Sequence, residues 1–184
     1  EYFSVRKEAG LFDVSHMGEF FISGDGAEEF LQRMTINDVS KLQEGYAQYS
    51  AMCYPDGGII DDLIVYQIEI EKYLLVVNAS NIQKDYTWIL DQNKVFNATI
   101  NDESNNYSLL AIQGPKAIDY CQNFTDVDLK GMKNYSHIKS KFIDCNDILL
   151  SKTGYTGSDG LEIYIANKDV VNVWDSLFKF NNNE

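Results

Sequence analysis

The ten residues Gly57-Gly58-Ile59-Ile60-Asp61-Asp62-Leu63-Ile64-Val65-Tyr66 set two carboxylates side by side in a run otherwise apolar enough for a buried strand. Pro55-Asp56-Gly57 supplies turn chemistry just ahead of it, so the run is predicted as the second arm of a hairpin whose first arm is Tyr46 to Cys53. Side chains alternate faces along a strand. That groups Asp62 with Ile60, Ile64, Tyr66 and Ile68, and sets Asp61 opposite with Ile59, Leu63 and Val65. Without a bulge two such acids cannot converge on one atom, so a two-carboxylate dyad flanking one scissile bond is set aside. The expectation is one acid facing a site and the other structural, with solvation of an exposed strand end as the plain alternative for either.

Charge and cysteine usage narrow the partners. A net charge of -13 argues against nucleic acid, which draws its affinity from clustered Lys and Arg, and against an anionic membrane surface. No apolar run approaches the ~20 residues of a membrane helix, and the start Glu1-Tyr2-Phe3-Ser4-Val5-Arg6 has no secretory pattern. A cytoplasmic location is therefore expected, or the mitochondrial matrix if the source is eukaryotic. Cys53, Cys121 and Cys145 are odd in number and widely spaced, which indicates neither a disulfide framework nor a zinc site. With His16 and His137 as the only histidines, no metal centre is expected. Hydrophobic residues at 45% and charged residues at 23% of 184 suit a soluble globular chain of one large domain, or one domain and part of another.

Taken in order, Glu1 to Ala9 reads as the end of a helix, Gly10 to His16 as a turn-rich lead, and Met17 to Ile22 as a strand. Ala27, Phe30, Leu31 and Met34 recur at helical spacing in a helix from Ala27 to Met34. After the hairpin, Tyr73 to Asn78 is a third strand, and a helix from Asn81 to Asp91 carries Ile82, Tyr86, Ile89 and Leu90 on one face. Strands are predicted at Val95 to Ile100 and Tyr107 to Gln113. Gly114-Pro115 signals a helix start with proline in the first turn, leading a helix from Ala117 to Asn123. Strands at Ile138 to Ile143, Ile148 to Lys152 and Leu161 to Ala166 precede a helix from Asp169 to Phe180 with Val170, Val173, Trp174, Leu177 and Phe178, then an Asn-rich tail. The sum is an α+β chain of antiparallel sheets with short helices.

A second unusual segment is Thr153-Gly154-Tyr155-Thr156-Gly157-Ser158-Asp159-Gly160-Leu161-Glu162, whose glycines permit close ligand approach or simply form a hairpin loop. It matches no phosphate-loop or dinucleotide fingerprint. Tyr46, Tyr49, Tyr54, Tyr66 and Tyr155 offer faces for a flat heteroaromatic ligand or serve as core and rim residues. His16, in a turn after Asp13-Val14-Ser15, is either a general base or a hydrogen-bonded structural residue.

Five motifs in register, Gly10 to Glu19, Gly57 to Tyr66, Val76-Val77-Asn78-Ala79, Ala111 to Pro115, and Thr153 to Gly157 with Asp159-Gly160 and Glu162, together resemble the aminomethyltransferase (T-protein) family of the glycine cleavage system. The resemblance implies the folate-binding T-protein fold and a tetrahydrofolate-dependent transferase. Members release ammonia from the aminomethyl group on the lipoyl arm of the H-protein and form 5,10-methylenetetrahydrofolate. It implies that Asp62 is the functional acid at the reacting end of the folate, orienting its nitrogens and favouring the cationic species left as ammonia departs, with a general-base role as an option. It implies that Glu162 takes the pterin by two parallel hydrogen bonds. Tyr49, Asn78, Tyr135 and Tyr155 match folate-lining positions, with Met17 as a wall.

By the same resemblance, residues 1–20 and 102–184 form a discontinuous first domain and 21–101 an inserted second domain, with the folate where they meet. Members run to about twice this length and continue into a barrel-like C-terminal domain that these residues lack, so weak or absent transferase activity is expected of this stretch alone. The rivals are the folate domain of a sarcosine- or dimethylglycine-type demethylating dehydrogenase, and a non-catalytic folate-binding accessory protein of iron-sulfur assembly. The second is expected to carry a Lys-Gly-Cys-Tyr-x-Gly-Gln-Glu type motif, whereas Cys53-Tyr54 here is followed by Pro55-Asp56-Gly57.

Overall fold

The computed structural model describes residues 2–181. In chain order the elements are α1 (Tyr2–Lys7), β1 (Gly10–Asp13), β2 (Gly18–Ser23), α2 (Ala27–Met34), β3 (Ala47–Cys53), β4 (Ile59–Glu69), β5 (Lys72–Val77), α3 (Ile82–Gln92), β6 (Thr99–Asp102), β7 (Tyr107–Gln113), α4 (Ala117–Cys121), β8 (His137–Phe142), β9 (Cys145–Ser151), β10 (Gly160–Ala166) and α5 (Asn167–Asn181). They divide into two compact units, residues 1–15 with 106–184, and residues 16–105. Each unit holds one five-stranded antiparallel sheet, in the order β1-β7-β10-β9-β8 for the first and β3-β4-β5-β2-β6 for the second. Of the Asn-rich tail, residues 182–184 lie outside the described residues, as does Glu1.

In the second unit, α2 shows how packing outweighs capping. Its predicted stripe Ala27, Phe30, Leu31 and Met34 is wholly buried, and a buried Phe, Leu or Met contributes about 1.5–3 kcal/mol relative to exposure. The cap position holds Gly26 without a side-chain hydrogen bond, a loss of roughly a few tenths of a kcal/mol against Ser or Asp. Glycine stands there because a Cβ would come within 2.2 Å of the Phe96 carbonyl oxygen. The stripe packs with Phe20, Ile22, Leu63, Val65, Leu75, Val77 and Ile89 into one core.

Several expectations are corrected. The strand predicted at Val95 to Ile100 is displaced: α3 runs on as a 3-10 turn over Asn93–Val95 and β6 begins only at Thr99. The Asn93 amide closes that loop, donating to the Ala98 carbonyl at 2.6 Å and accepting from its N–H at 3.0 Å, with Asn97 left-handed at φ 55. Leu90 and Phe178, assigned to buried faces, are 44% and 57% exposed. Pro115 lies outside the helix it was expected to start, since α4 begins at Ala117 with Lys116 as its cap. Gly10 to Asp13 is a strand rather than a turn.

The first unit's core gathers Leu110, Ile112, Ile118, Phe142, Leu150, Leu161, Ile163, Ile165, Val173 and Leu177. Along β10 the odd-numbered residues Leu161, Ile163 and Ile165 face this core, which turns Glu162 and Tyr164 to the opposite face.

Candidate functional site

The alternation predicted for β4 fails at one residue. Met52 pairs with Asp61 but Cys53 pairs with Ile59, so Ile60 is an extra residue in a bulge. Its side chain joins the core with Leu63 and Val65 instead of lying with Asp62. Asp61 is buried at 6% exposure and Asp62 is half-buried, so neither is a solvated strand end.

The two acids nevertheless share one donor. Asn78, directly after β5, places Nδ2 at 3.0 Å from Asp61 Oδ1, 2.8 Å from Asp62 Oδ1 and 3.1 Å from the Asp62 carbonyl oxygen. Three acceptors at one position require the amide to present its NH2 group there. Asp62 Oδ2 accepts a 2.6 Å hydrogen bond from the Tyr49 hydroxyl. Tyr49 pairs with Ile64, Ile64 with Val76 and Val76 with Glu19, so these four stand in one row across the sheet. Met17, Asn78 and Asp62 occupy the next row, because Gly18 and Leu63 both pair with Val77. The register thus brings Met17, Tyr49, Asp62 and Asn78 onto one face, opposite the core. Tyr66 lies on that face too, but it is fully buried and offers no ring to a ligand.

Two acids in this unit escaped the reading of the sequence. Asp85 is fully buried on α3 close to Asp61, and among the described residues neither of its oxygens meets an N–H or hydroxyl donor. Burial, then the contact with Asp61, raises Asp85 to about 8. Its place in the first turn of α3 favours the charged form by only ~0.3–1 kcal/mol, far less than the opposing effect. Asp61 moves the other way, because hydrogen bonds from Asp85 and Asn78 more than offset its burial. The signal was present: Asp85 stands three residues from Ile82 and four from Ile89, on the stripe that faces the core. Glu19 is buried with both oxygens unbonded, and burial, then the Asp102 charge, raises it to about 8.

In the first unit Glu162 stands in a row with Phe12, Ala111, Ser151 and the buried His137. Thr153 Oγ1 donates a short hydrogen bond to Glu162 Oε2 and lies 2.9 Å from Ser151 Oγ. A hydroxyl has one proton, so Ser151 donates to Thr153 while Thr153 donates to the acid. Among the described residues no side-chain hydrogen bond engages Oε1. Burial raises the Glu162 pKa, partly offset by Thr153.

Thr153 lines a cleft of about 480 Å³ with Asn134, Tyr135, Lys152, Gly154 and Asp159. Gln113, fully buried, shapes its wall: Nε2 donates to the Thr153 and Leu161 carbonyls, and Oε1 accepts from Thr156. A Cβ at Gly154, whose φ is +157, would lie 2.1 Å from Gln113 Oε1, so the loop requires glycine there. Lys152, buried, pairs with Asp159 at 3.1 Å. Tyr135 borders the cleft in a left-handed conformation at φ 59, and Tyr155 projects from the loop at 98% exposure. His16 lies exposed in the turn before β2. Among the described residues no group of three or more His, Cys, Asp or Glu is placed to hold a metal ion, and no helix is long and apolar enough to cross a membrane.

Comparison with known proteins shows the family and the fold. Residues 1–183 match the model of the GCVT N-terminal domain. Proteins named aminomethyltransferase are 48% identical in Bacillus pumilus over 97% of this chain and 49% of the relative, and 49% identical in Flavobacterium psychrophilum over the same shares. The chain therefore spans about half the length of these relatives. The glycine cleavage system aminomethyltransferase T from Bartonella henselae superposes with a TM-score of 0.87 at 28% identity, covering 96% of this chain and 47% of that one. A chain of heterotetrameric sarcosine oxidase from Corynebacterium sp. U-96 superposes at 0.66 with 14% identity, over 93% and 82% of the two chains, a likeness of fold alone. Two antiparallel sheets with short helices are the T-protein fold, and the chain belongs to the GCVT N-terminal domain family of the aminomethyltransferases.

Proposed function

We propose that this chain carries the folate-handling groups of a tetrahydrofolate-dependent aminomethyltransferase of the glycine cleavage system, one that releases ammonia from the aminomethyl-lipoyl H-protein and forms 5,10-methylenetetrahydrofolate. The observation that carries the reading is Asp62, fixed between the Tyr49 hydroxyl and the Asn78 amide on the face of its sheet away from the core. Tetrahydrofolate, when bound, supplies the amine nitrogens that take up the one-carbon unit. The residues fit it. Glu162 keeps Oε1 without a side-chain partner beside the Thr153 cleft, as an acid must to accept a pair of parallel N–H bonds from a pterin.

In this reading Glu162 binds and orients, and Asp62 acts by charge. A half-buried carboxylate held by two donors does not have to reorganise when positive charge develops as ammonia leaves, which is the condition for electrostatic stabilisation. Asn78 and Tyr49 serve by holding that carboxylate, and Met17 borders it in the same row. Tyr135 and Tyr155 give flat faces, the second free of packing until a ligand meets it. Burial raises the Glu162 pKa, and N–H donors favour its ionised form, so affinity falls as pH is lowered through a value above the usual glutamate range.

Titration of tetrahydrofolate into the chain, with Asp62→Ala and Glu162→Ala beside it, tests the assignment. Both substitutions are expected to weaken binding; if neither does, these residues are not the folate site.

A further inference from the structure

We propose that Asp85 is a positioning residue of the Asp62 site: as a neutral acid it donates to Asp61, and the Asp61 carboxylate in turn fixes the Asn78 amide that holds Asp62. The inference rests on the reading of Asp62 as the folate-facing acid.

Geometry demands a proton between the two inner acids. Asp61 and Asp85 are close enough to act on each other's protons, and among the described residues Asp61 Oδ2 and both Asp85 oxygens are buried without an N–H or hydroxyl donor. Two ionised carboxylates so placed away from water repel each other, whereas one shared proton turns the contact into an O–H···O⁻ bond. Lys84, the cation that acts on Asp85, gives one N–H to the Ile60 carbonyl at 2.6 Å and opposes the shift only in part. The proton resides on Asp85, whose carboxyl is the one pushed up, while Asp61 is held low.

The ionised Asp61 then has a defined task. Its Oδ1 takes one share of the Asn78 NH2 group, and Asp62 takes the rest. Loss of the Asp85 proton sets a second negative charge against Asp61, drives the pair apart and releases Asn78 from its inner anchor. Asp62 keeps its hydrogen bond from Tyr49 but loses the fixed amide. Asp61 and Asp62 face this cluster from β4 and Lys84 from α3; Glu19, on β2, titrates in the same range. The arrangement therefore holds at neutral pH and loosens as pH rises through about 8.

The side-chain amide resonances of Asn78, followed by NMR in the 184-residue chain from about pH 6 to about pH 10, read this directly. The wild-type signals are expected to titrate near 8. Asp85→Asn, a permanent neutral donor that leaves Glu19 in place, abolishes the titration and keeps tetrahydrofolate affinity within about twofold. Asp85→Ala costs about tenfold in affinity, the effect of one lost charge-assisted hydrogen bond. Flat wild-type Asn78 signals, which need no variant to observe, or an Asp85→Asn chain that titrates like wild type, overturns the proposal. If Asn78 titrates as described while tetrahydrofolate binds no variant differently, the carboxyl pair stands and the folate reading of Asp62 is what fails.

Discussion

Glu162 and Asp62 stand on the faces away from the core of two five-stranded antiparallel sheets, and their surroundings differ. Glu162 has one hydroxyl donor on Oε2, an uncommitted Oε1 and a cleft beside Thr153. Asp62 has a donor on each oxygen and a second layer of acids behind its amide partner. An acid with an open oxygen is arranged to receive a ligand, and an acid already satisfied is arranged to hold a charge still. Two carboxylates of one chain are thus given separate tasks by the number of donors supplied to each.

The largest expected effect separates the two. Glu162→Ala removes both bonds to a pterin, each worth about 1.5–3 kcal/mol for a charged acceptor, and should cost on the order of a hundredfold or more in tetrahydrofolate affinity by calorimetry. Asp62→Ala should cost only about tenfold, since its oxygens are already engaged. Equal losses would erase the distinction. Next comes the loop under Glu162: Gly154→Ala forces a Cβ into Gln113 at positive φ and should lower stability by about 1–3 kcal/mol in chemical denaturation. Gly58→Ala, in the loop before Asp62, meets the movable Asp56 side chain at 3.2 Å and the Tyr54 ring at an ordinary 3.6 Å, and should stay within about 0.5 kcal/mol of wild type.

The pH dependence of stability sharpens the contrast between satisfied and unsatisfied acids. Glu19, raised from 4.5 to about 8, binds a proton more tightly folded than unfolded. Its contribution is full below 4.5 and is lost as pH rises toward 8. Glu19→Gln should therefore flatten the fall in denaturation midpoint across that window; an unchanged slope would place the titration elsewhere. Tyr49→Phe, which removes one of the donors on Asp62, should weaken tetrahydrofolate binding by about fivefold, near 1 kcal/mol.

How much of this was legible in the sequence depended on whether a rule was local. The α2 stripe and the hairpin around Pro55-Asp56-Gly57 follow from period and turn chemistry, and both appear in the fold. Period two misled at Ile60, because a bulge is decided by the pairing strand and not by the run itself. The convergence of Asp61 and Asp62 on Asn78 is hidden from the run itself because the donor arrives from the end of a neighbouring strand. Asp85 does not stand out because a stripe is read for its apolar members. The role of Gln113 was beyond local reading, since it spans 40 residues to reach the Thr153 carbonyl.

The central claim is that both acids serve tetrahydrofolate, Glu162 by receiving it and Asp62 by its held charge. Side-chain NMR of the labelled chain at saturating tetrahydrofolate tests it most directly. The account expects the Glu162 and Thr153 signals and the Tyr49 and Asn78 signals to move with one and the same affinity, and that affinity to collapse in Glu162→Ala. Signals that stay fixed at all four residues while the ligand binds, or a Glu162→Ala chain that binds as tightly as wild type, would contradict it.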